Sequence, residues 1–134
     1  MRIDASNGKI IDSKEVYIHD DILNELCFYR QEKRLKLIIR KFKDENDIFT
    51  IEFINVIGFE MTSCDFWGPS RRINGFAYVR PDDRIIISKV FEKRKLDPDS
   101  CKLTKPENYI ESVITFISGD QLRIACEEIV LEDK

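Results

Sequence analysis

The stretch YIESVITFISGDQLRIACEEIVL (residues 109–131) decides the fold. Two runs rich in isoleucine and valine flank Gly119-Asp120, a dipeptide typical of the tight turn between two antiparallel strands. If these two residues form the loop, Ser118 lies opposite Gln121, and one set of side chains shares the core face: Val113, Thr115, Ile117, Leu122, Ile124 and Cys126. The stretch therefore predicts a β-hairpin with strands at about 109–118 and 121–131.

The rest of the chain has the composition of strands. It holds 20 isoleucines and nine phenylalanines but only three alanines, and β-branched and aromatic residues favour strands whereas alanine favours helices. Apolar runs between turn residues predict further strands at about 23–30, 34–42, 48–61, 75–80 and 84–92, with short edge strands at 10–11 and 16–18. The run 48–61 is apolar on both faces, which predicts a central strand with a bulge near Asn55 or Gly58.

These strands predict a mainly β fold with little helix. About seven strands joined by short turns are typical of an antiparallel β-sandwich or a partly open barrel, and the alternation of side chains satisfies both. The length of 134 residues fits one β-rich domain over residues 1–134. A domain of this size buries about two-thirds of its unfolded surface, so it forms a core without disulfides or metals.

Composition and charge exclude several classes of protein. Hydrophobic residues make up 43% and charged residues 35%, which excludes a disordered chain. The net charge of −3 argues against general nucleic-acid binding, and the basic residues between 30 and 43 fit the solvated face of a strand. No run approaches the roughly 18 apolar residues of a membrane span, and no signal peptide is visible. We expect a cytoplasmic protein that does not bind membranes.

Four cysteines are present: Cys27, Cys64, Cys101 and Cys126. None of them forms a CxxC pair, which excludes zinc-ribbon and thioredoxin-like sites. We expect reduced thiols packed as small apolar side chains. The chain also lacks a glycine-rich phosphate loop, G-x-S-x-G, H-E-x-x-H and an EF-hand loop, so no cofactor, metal site or catalytic residue is predicted.

Three sets of residues are candidates for a pocket or an interface. His19-Asp20-Asp21 places the only histidine beside two carboxylates, a combination that suits a metal or a general base but equally a turn. Cys64 and Trp67 lie in an apolar run before a Gly-Pro turn, where tryptophan lines a pocket or plugs a core. The hairpin register places Glu111 opposite Glu128, so either the pairing frays there or the two carboxylates serve a site.

The layout of the chain is similar to small β-rich bacterial families of unknown function, some of them grouped with immunity proteins of polymorphic toxin systems. His19-Asp20 leads into a first strand, and two further strands follow, ending in IEFINVIGFE (residues 51–60). The chain closes with Ser118-Gly119-Asp120 and a strand that carries Ile124, Cys126 and Ile129. The resemblance implies a non-catalytic cytoplasmic domain that binds a protein partner.

Two hypotheses follow. The first is a protein-binding module, which neutralises a toxin or packs as a homodimer, with Tyr29, Phe66 and Trp67 as candidate anchors. The second is a small-molecule-binding or enzymatic barrel that uses His19, Asp21, Cys64 or the Glu111–Glu128 pair. The second hypothesis requires those side chains to converge in one concave pocket.

Overall fold

The computed structural model describes residues 1–62, 72–96 and 103–133. The strands within these ranges are β1 (Arg2–Asp4), β2 (Ile22–Tyr29), β3 (Arg34–Arg40), β4 (Ile48–Ile54), β5 (Gly58–Met61), β6 (Ile73–Tyr78), β7 (Ile110–Phe116), β8 (Gln121–Cys126) and β9 (Glu128–Asp133). The α-helix is α1 (Ile86–Leu96), and short 3-10 helices span Gly8–Asp12, Lys14–Val16, Pro81–Asp83 and Pro106–Asn108. None of the helices in these ranges has the length and apolar character needed to cross a membrane.

The strands form two antiparallel sheets. The first has five strands in the order β1-β9-β4-β3-β2, and the second has four in the order β5-β8-β7-β6. The prediction of a mainly β fold is therefore confirmed.

Two bent strands join the sheets along one side. β4 of the five-stranded sheet leads directly into β5 of the four-stranded sheet. In the same way, β8 of the four-stranded sheet leads into β9 of the five-stranded sheet. The backbone N–H of Glu127 donates to the carbonyl of Ile54 at 3.1 Å, and that of Ile57 donates to the carbonyl of Ala125 at 2.9 Å. Asn55 supplies the bend with φ at 56°, a conformation that asparagine adopts more readily than most residues. The bulge predicted near this residue is thus a corner between the two sheets.

The opposite side of the two sheets is linked by an antiparallel bridge between Ile22 and Arg72. The backbone N–H of Asp20 also donates to the carbonyl of Ile73, and that of Ile73 donates to the carbonyl of Asp21, both at 2.8 Å. The sheets therefore face each other as in a sandwich but are joined on both sides, which makes the fold a partly open barrel.

The hydrophobic core fills the space between the sheets. Fully buried side chains from the five-stranded sheet include Leu35, Leu37, Ile39, Ile51 and Phe53, and those from the four-stranded sheet include Ile73, Ile110, Ile114, Leu122 and Ile124. In β3 and β8 these side chains occupy every second position, as expected for strands with one face on the core. On the outer face of β3, Arg34 and Lys36 both approach Glu52 on β4 at 4.0 Å, as expected for a solvated face.

The strand predicted at 84–92 is wrong, because this segment forms α1. Ile86, Ile87, Val90 and Phe91 recur at intervals of four residues and lie on one helical face. That face packs on the outer side of the four-stranded sheet, in a second cluster with Tyr109 and Ala125. Isoleucine-rich composition suggested a strand, but the helical spacing of the same residues decided the structure.

The predicted register of the hairpin is also wrong. The N–H of Phe116 donates to the carbonyl of Asp120, and the N–H of Gly119 donates to the carbonyl of Phe116, both at 2.9 Å. These bonds close a three-residue loop in which Gly119 has φ at 91°, a common hairpin geometry. Thr115 therefore lies opposite Gln121, and Glu111 lies opposite Ala125 rather than Glu128.

The new register changes which residues of β7 face the core. Ile110, Ile114 and Phe116 are buried there, whereas the predicted Val113 and Thr115 are half-buried and Ile117 is exposed. On β8 the prediction was right, because Leu122, Ile124 and Cys126 are all fully buried.

The predicted edge strands at 10–11 and 16–18 are replaced by the two 3-10 helices of the N-terminal region. The only strand of this region is β1, which pairs with β9. Gly8 begins the first 3-10 helix, and a Cβ there would lie 2.6 Å from Cε1 of Tyr78. A larger residue would push this segment away from β6.

Candidate functional site

The segment that contains His19, Asp20 and Asp21 connects the second 3-10 helix to β2. Asp20 has a positive φ of 71°, a conformation in which aspartate is enriched over bulky side chains. This turn allows the backbone of Asp20 and Asp21 to exchange hydrogen bonds with Ile73 at the start of β6. The three side chains are therefore held at the place where the two sheets meet.

His19 is fixed by a hydrogen bond to the backbone of β6. Its Nδ1 lies 2.7 Å from the carbonyl oxygen of Asn74, so Nδ1 carries the proton and donates. Nε2 lies 3.6 Å from Oδ2 of Asp20, and the ring is tilted against that of Tyr17 with centroids 6.0 Å apart. The imidazole therefore has one carboxylate neighbour and one aromatic neighbour.

Asp20 also forms an ion pair with Arg72. The Nε of Arg72 lies 3.3 Å from Oδ1 of Asp20, and the guanidinium lies 4.4 Å from the centroid of the Phe42 ring. A guanidinium over an aromatic ring is attracted by the negative face of the ring. Arg72 thus offsets the charge of Asp20 and supports the ring of Phe42.

Asp21 is buried, and its carboxylate serves the backbone. Its Oδ1 accepts a hydrogen bond from the N–H of Phe42 at 3.2 Å. Burial raises the pKa of the Asp21 carboxyl, while the bond from Phe42 and the charge of Lys41 oppose this shift. The side chain connects the entry of β2 to the end of β3.

The raised pKa of Asp21 predicts a pH-dependent cost of folding. Because its pKa is higher in the folded state than in the unfolded state, the cost grows as the pH rises from the unfolded pKa to the folded pKa and is complete above the folded pKa. Below the unfolded pKa the cost is absent. We expect Asp21→Asn, which keeps an oxygen for the N–H of Phe42, to gain stability relative to the wild type as the pH rises through this interval. Urea unfolding at a series of pH values measures the difference, and a gap that does not change with pH would contradict the prediction.

These residues line a groove on the surface. A cavity of about 360 Å³ is bounded by seven residues, which together we call the Tyr17–Phe42 groove: Tyr17, His19, Asp20, Asp21, Lys41, Phe42 and Lys43. The side chains of Tyr17 and Phe42 are 69% and 54% exposed. The groove therefore presents two aromatic side chains to solvent beside two lysines and a histidine.

No metal-binding arrangement is found here or elsewhere in residues 1–62, 72–96 and 103–133, since no three histidine, cysteine, aspartate or glutamate side chains converge. His19 and Asp20 approach each other, but Asp21 directs its carboxylate to the N–H of Phe42.

The two glutamates predicted to face each other lie in different environments. Glu111 is fully buried beneath α1, where it binds Arg123 and two backbone N–H groups of the helix start. Glu128 lies on β9 and forms an ion pair with Arg2. The structure brings neither of them to the Tyr17–Phe42 groove, so the pocket required by the second hypothesis is not assembled from these two carboxylates.

The remaining candidates are cysteines and aromatic residues. Cys64, Phe66 and Trp67 lie outside the described residues. Cys27 and Cys126 are free thiols. A hydrogen bond to Glu25 and partial burial raise the pKa of the Cys27 thiol, and complete burial raises the pKa of the Cys126 thiol. Both therefore stay protonated and are poor nucleophiles.

Several residues of the groove were not predicted from the sequence. The sequence predicts Tyr17 in an edge strand and Phe42 at the end of a strand. A signal was present in the run RKFK (residues 40–43), where an aromatic residue between lysines directly precedes a turn. The role of Arg72 had no local signal, because it depends on the bridge between β2 and the start of β6.

No family model and no curated protein matches the chain. Among solved structures, the chain is similar to an uncharacterized protein from Neisseria gonorrhoeae, with 16% sequence identity and a TM-score of 0.49. The match covers 98% of this chain and 97% of that chain.

Proposed function

We propose that this chain is a non-catalytic bacterial protein-binding module that acts in the cytoplasm. The observation that carries the proposal is the pair of exposed aromatic side chains, Tyr17 and Phe42, that line one groove. Exposed aromatic side chains are energetically costly to leave in water when they lie together, and they are enriched at the centres of protein interfaces. The resemblance to immunity-type families suggests a toxin as the partner.

The groove also has the rigidity that a recognition surface requires. His19 is bonded to β6, Asp20 is paired with Arg72, and Asp21 is bonded to the N–H of Phe42. A surface held in place before binding loses less conformational entropy when the partner docks. The groove therefore supports binding through a preformed interface.

The experiment compares two tyrosines. Tyr17→Ser removes one aromatic side chain that lines the groove, and Tyr29→Ser removes a tyrosine that the sequence predicts as an anchor but that does not line the groove. Tyr29 ends β2, whose eight residues span about 23 Å at the rise of a strand, whereas Asp21 of the groove directly precedes the start of β2. The tagged full chain is used to capture a stoichiometric partner from the source cells, and the affinity for the purified partner is then measured by calorimetry.

We expect Tyr17→Ser to weaken binding at least about thirtyfold, the loss typical of a central interface residue. Tyr29→Ser should leave the affinity unchanged, and both variants should keep the thermal midpoint of the wild type. Loss of binding with Tyr29→Ser alone would place the interface at the other end of β2 and overturn the assignment of the groove. A chain that captures no protein and forms no homodimer by light scattering would overturn the function itself.

A further inference from the structure

The Tyr17–Phe42 groove adjoins a second cavity. This cavity has a volume of about 210 Å³ and shares Tyr17 and Lys41 with the groove. Its other lining residues include Glu15, Phe49 and Leu131 on β9. Two adjoining depressions fit an extended peptide segment better than a compact small molecule, because successive side chains find separate places in them.

The aspartates of the groove have partners within the protein, whereas its lysines form no ion pair with the described residues. The charge of Asp20 is met by Arg72, and the buried carboxylate of Asp21 accepts the N–H of Phe42. Lys41 and Lys43, by contrast, form no ion pair with any carboxylate in the described part of the chain. The ammonium of Lys41 lies 5.4 Å from the centroid of the Phe49 ring. The positive charge available to a ligand therefore lies with two lysines that flank Phe42 in the sequence.

We propose that the groove takes an extended acidic segment of the partner protein, an inference that rests on the proposed function. An apolar side chain of this segment lies between Tyr17 and Phe42, and its neighbouring carboxylates pair with Lys41 and Lys43. A nucleic acid fits less well, because the carboxylate of Glu15 in the adjoining cavity repels a continuous chain of phosphates. A peptide with separate carboxylates places its charges on the lysines and its backbone against the rest of the groove.

The test uses short peptides as probes on the isotope-labelled full chain. Acetylated and amidated Glu-Glu-Phe-Glu-Glu is titrated while the amide resonances are followed by NMR. The same sequence with lysine or with glutamine in place of glutamate, together with oligouridylate, serves as comparison. We expect the acidic peptide to shift the resonances of Tyr17, His19 and residues 41–43, and to bind more weakly as the salt concentration rises.

A matched pair of double variants tests the role of the lysines. The double variant Lys41→Gln with Lys43→Gln should lower the affinity for the acidic peptide at least about threefold, the sum expected for two exposed ion pairs. Lys93→Gln with Lys95→Gln changes two exposed lysines of the same spacing on α1, and hence the same net charge, and should leave the affinity unchanged.

The inference is overturned if the basic or neutral peptide binds the groove as tightly as the acidic one, or if oligouridylate shifts the same resonances more strongly. An equal loss with both double variants would also overturn it, since the effect would then come from net charge alone. If Tyr17→Ser abolishes partner binding while no acidic preference is found, the proposed function stands and only this inference fails.

Discussion

Replacing Glu111 with alanine is expected to destabilise the protein by about 3–5 kcal/mol, the cost of removing one partner of a buried ion pair. Glu111 is fully buried on β7, and its Oε2 lies 2.8 Å from Nη1 of Arg123. The two carboxylate oxygens also accept the N–H groups of Ile85 and Ile87 at 2.9 Å each. The variant therefore leaves a mostly buried guanidinium and two N–H groups of the helix start without their acceptor.

This carboxylate acts as the N-terminal cap of α1, although it belongs to a strand far along the chain. The first N–H groups of a helix have no partner within the helix, and a negative charge near them is favoured by the helix dipole. Here the cap comes from the sheet on which the helix packs. We therefore expect amide hydrogen exchange in Glu111→Ala to rise first in α1.

The control for Glu111 is Glu60, a second glutamate that joins the four-stranded sheet to α1. Its Oε1 lies 3.1 Å from Nζ of Lys89, but both side chains are largely exposed. Glu60→Ala should cost about 1 kcal/mol or less, as is typical of exposed ion pairs. Urea unfolding of the two variants measures both costs, and a Glu111→Ala variant no less stable than Glu60→Ala would contradict the assigned cap. If Glu111→Ala does not fold, Glu111→Gln, which keeps one acceptor oxygen, provides the measurement.

The same contact explains why α1 was missed in the sequence. The run Ile85-Ile86-Ile87 has high strand propensity, and no capping residue in the usual sense precedes the helix. The acceptor that begins α1 comes from Glu111 on β7, and no local pattern shows it. The prediction that Glu111 lies opposite Glu128 assumed a two-residue loop between β7 and β8. The loop has three residues, with Gly119 at positive φ, and this changes the register.

Other parts of the fold were predictable because they depend on local alternation. Leu35, Leu37 and Ile39 occupy every second position between Arg34, Lys36 and Arg40, and all three are fully buried in β3. The site was predictable only in part, because the sequence shows which residues are adjacent along the chain but not which distant segments meet. His19-Asp20-Asp21 are adjacent in sequence and were found. Phe42, by contrast, reaches the groove from the segment after β3, and Arg72 contacts Asp20 and Phe42 from the bridge between β2 and the start of β6. Contacts between distant segments are set by the fold and not by spacing.

The second large effect is expected at Phe53, in the centre of the core. Phe53 lies on β4 with no exposed surface, and its ring meets that of Phe76 on β6 edge to face, with centroids 6.4 Å apart. The two rings come from different sheets, so this contact joins the two layers of the core. Phe53→Ala should cost about 3–5 kcal/mol, because it loses the buried ring and leaves a cavity that the two sheets cannot fill.

Phe42 gives the matched comparison, since it is the same residue type on the surface. Phe42→Ala loses only the contact with Arg72 and should cost about 1 kcal/mol or less in stability. In partner binding we expect the substitution at Phe42 to have the larger effect, because Phe42 lines the groove and Phe53 is inaccessible. Urea unfolding measures the loss of stability. Calorimetry with the purified partner measures the loss of affinity for Phe42→Ala and for the conservative Phe53→Leu.

A Phe42→Ala variant that unfolds as easily as Phe53→Ala would show that Phe42 supports the fold and not the interface. Equal affinity losses for Phe42→Ala and Phe53→Leu would show that binding depends on the stability of the barrel and not on the groove.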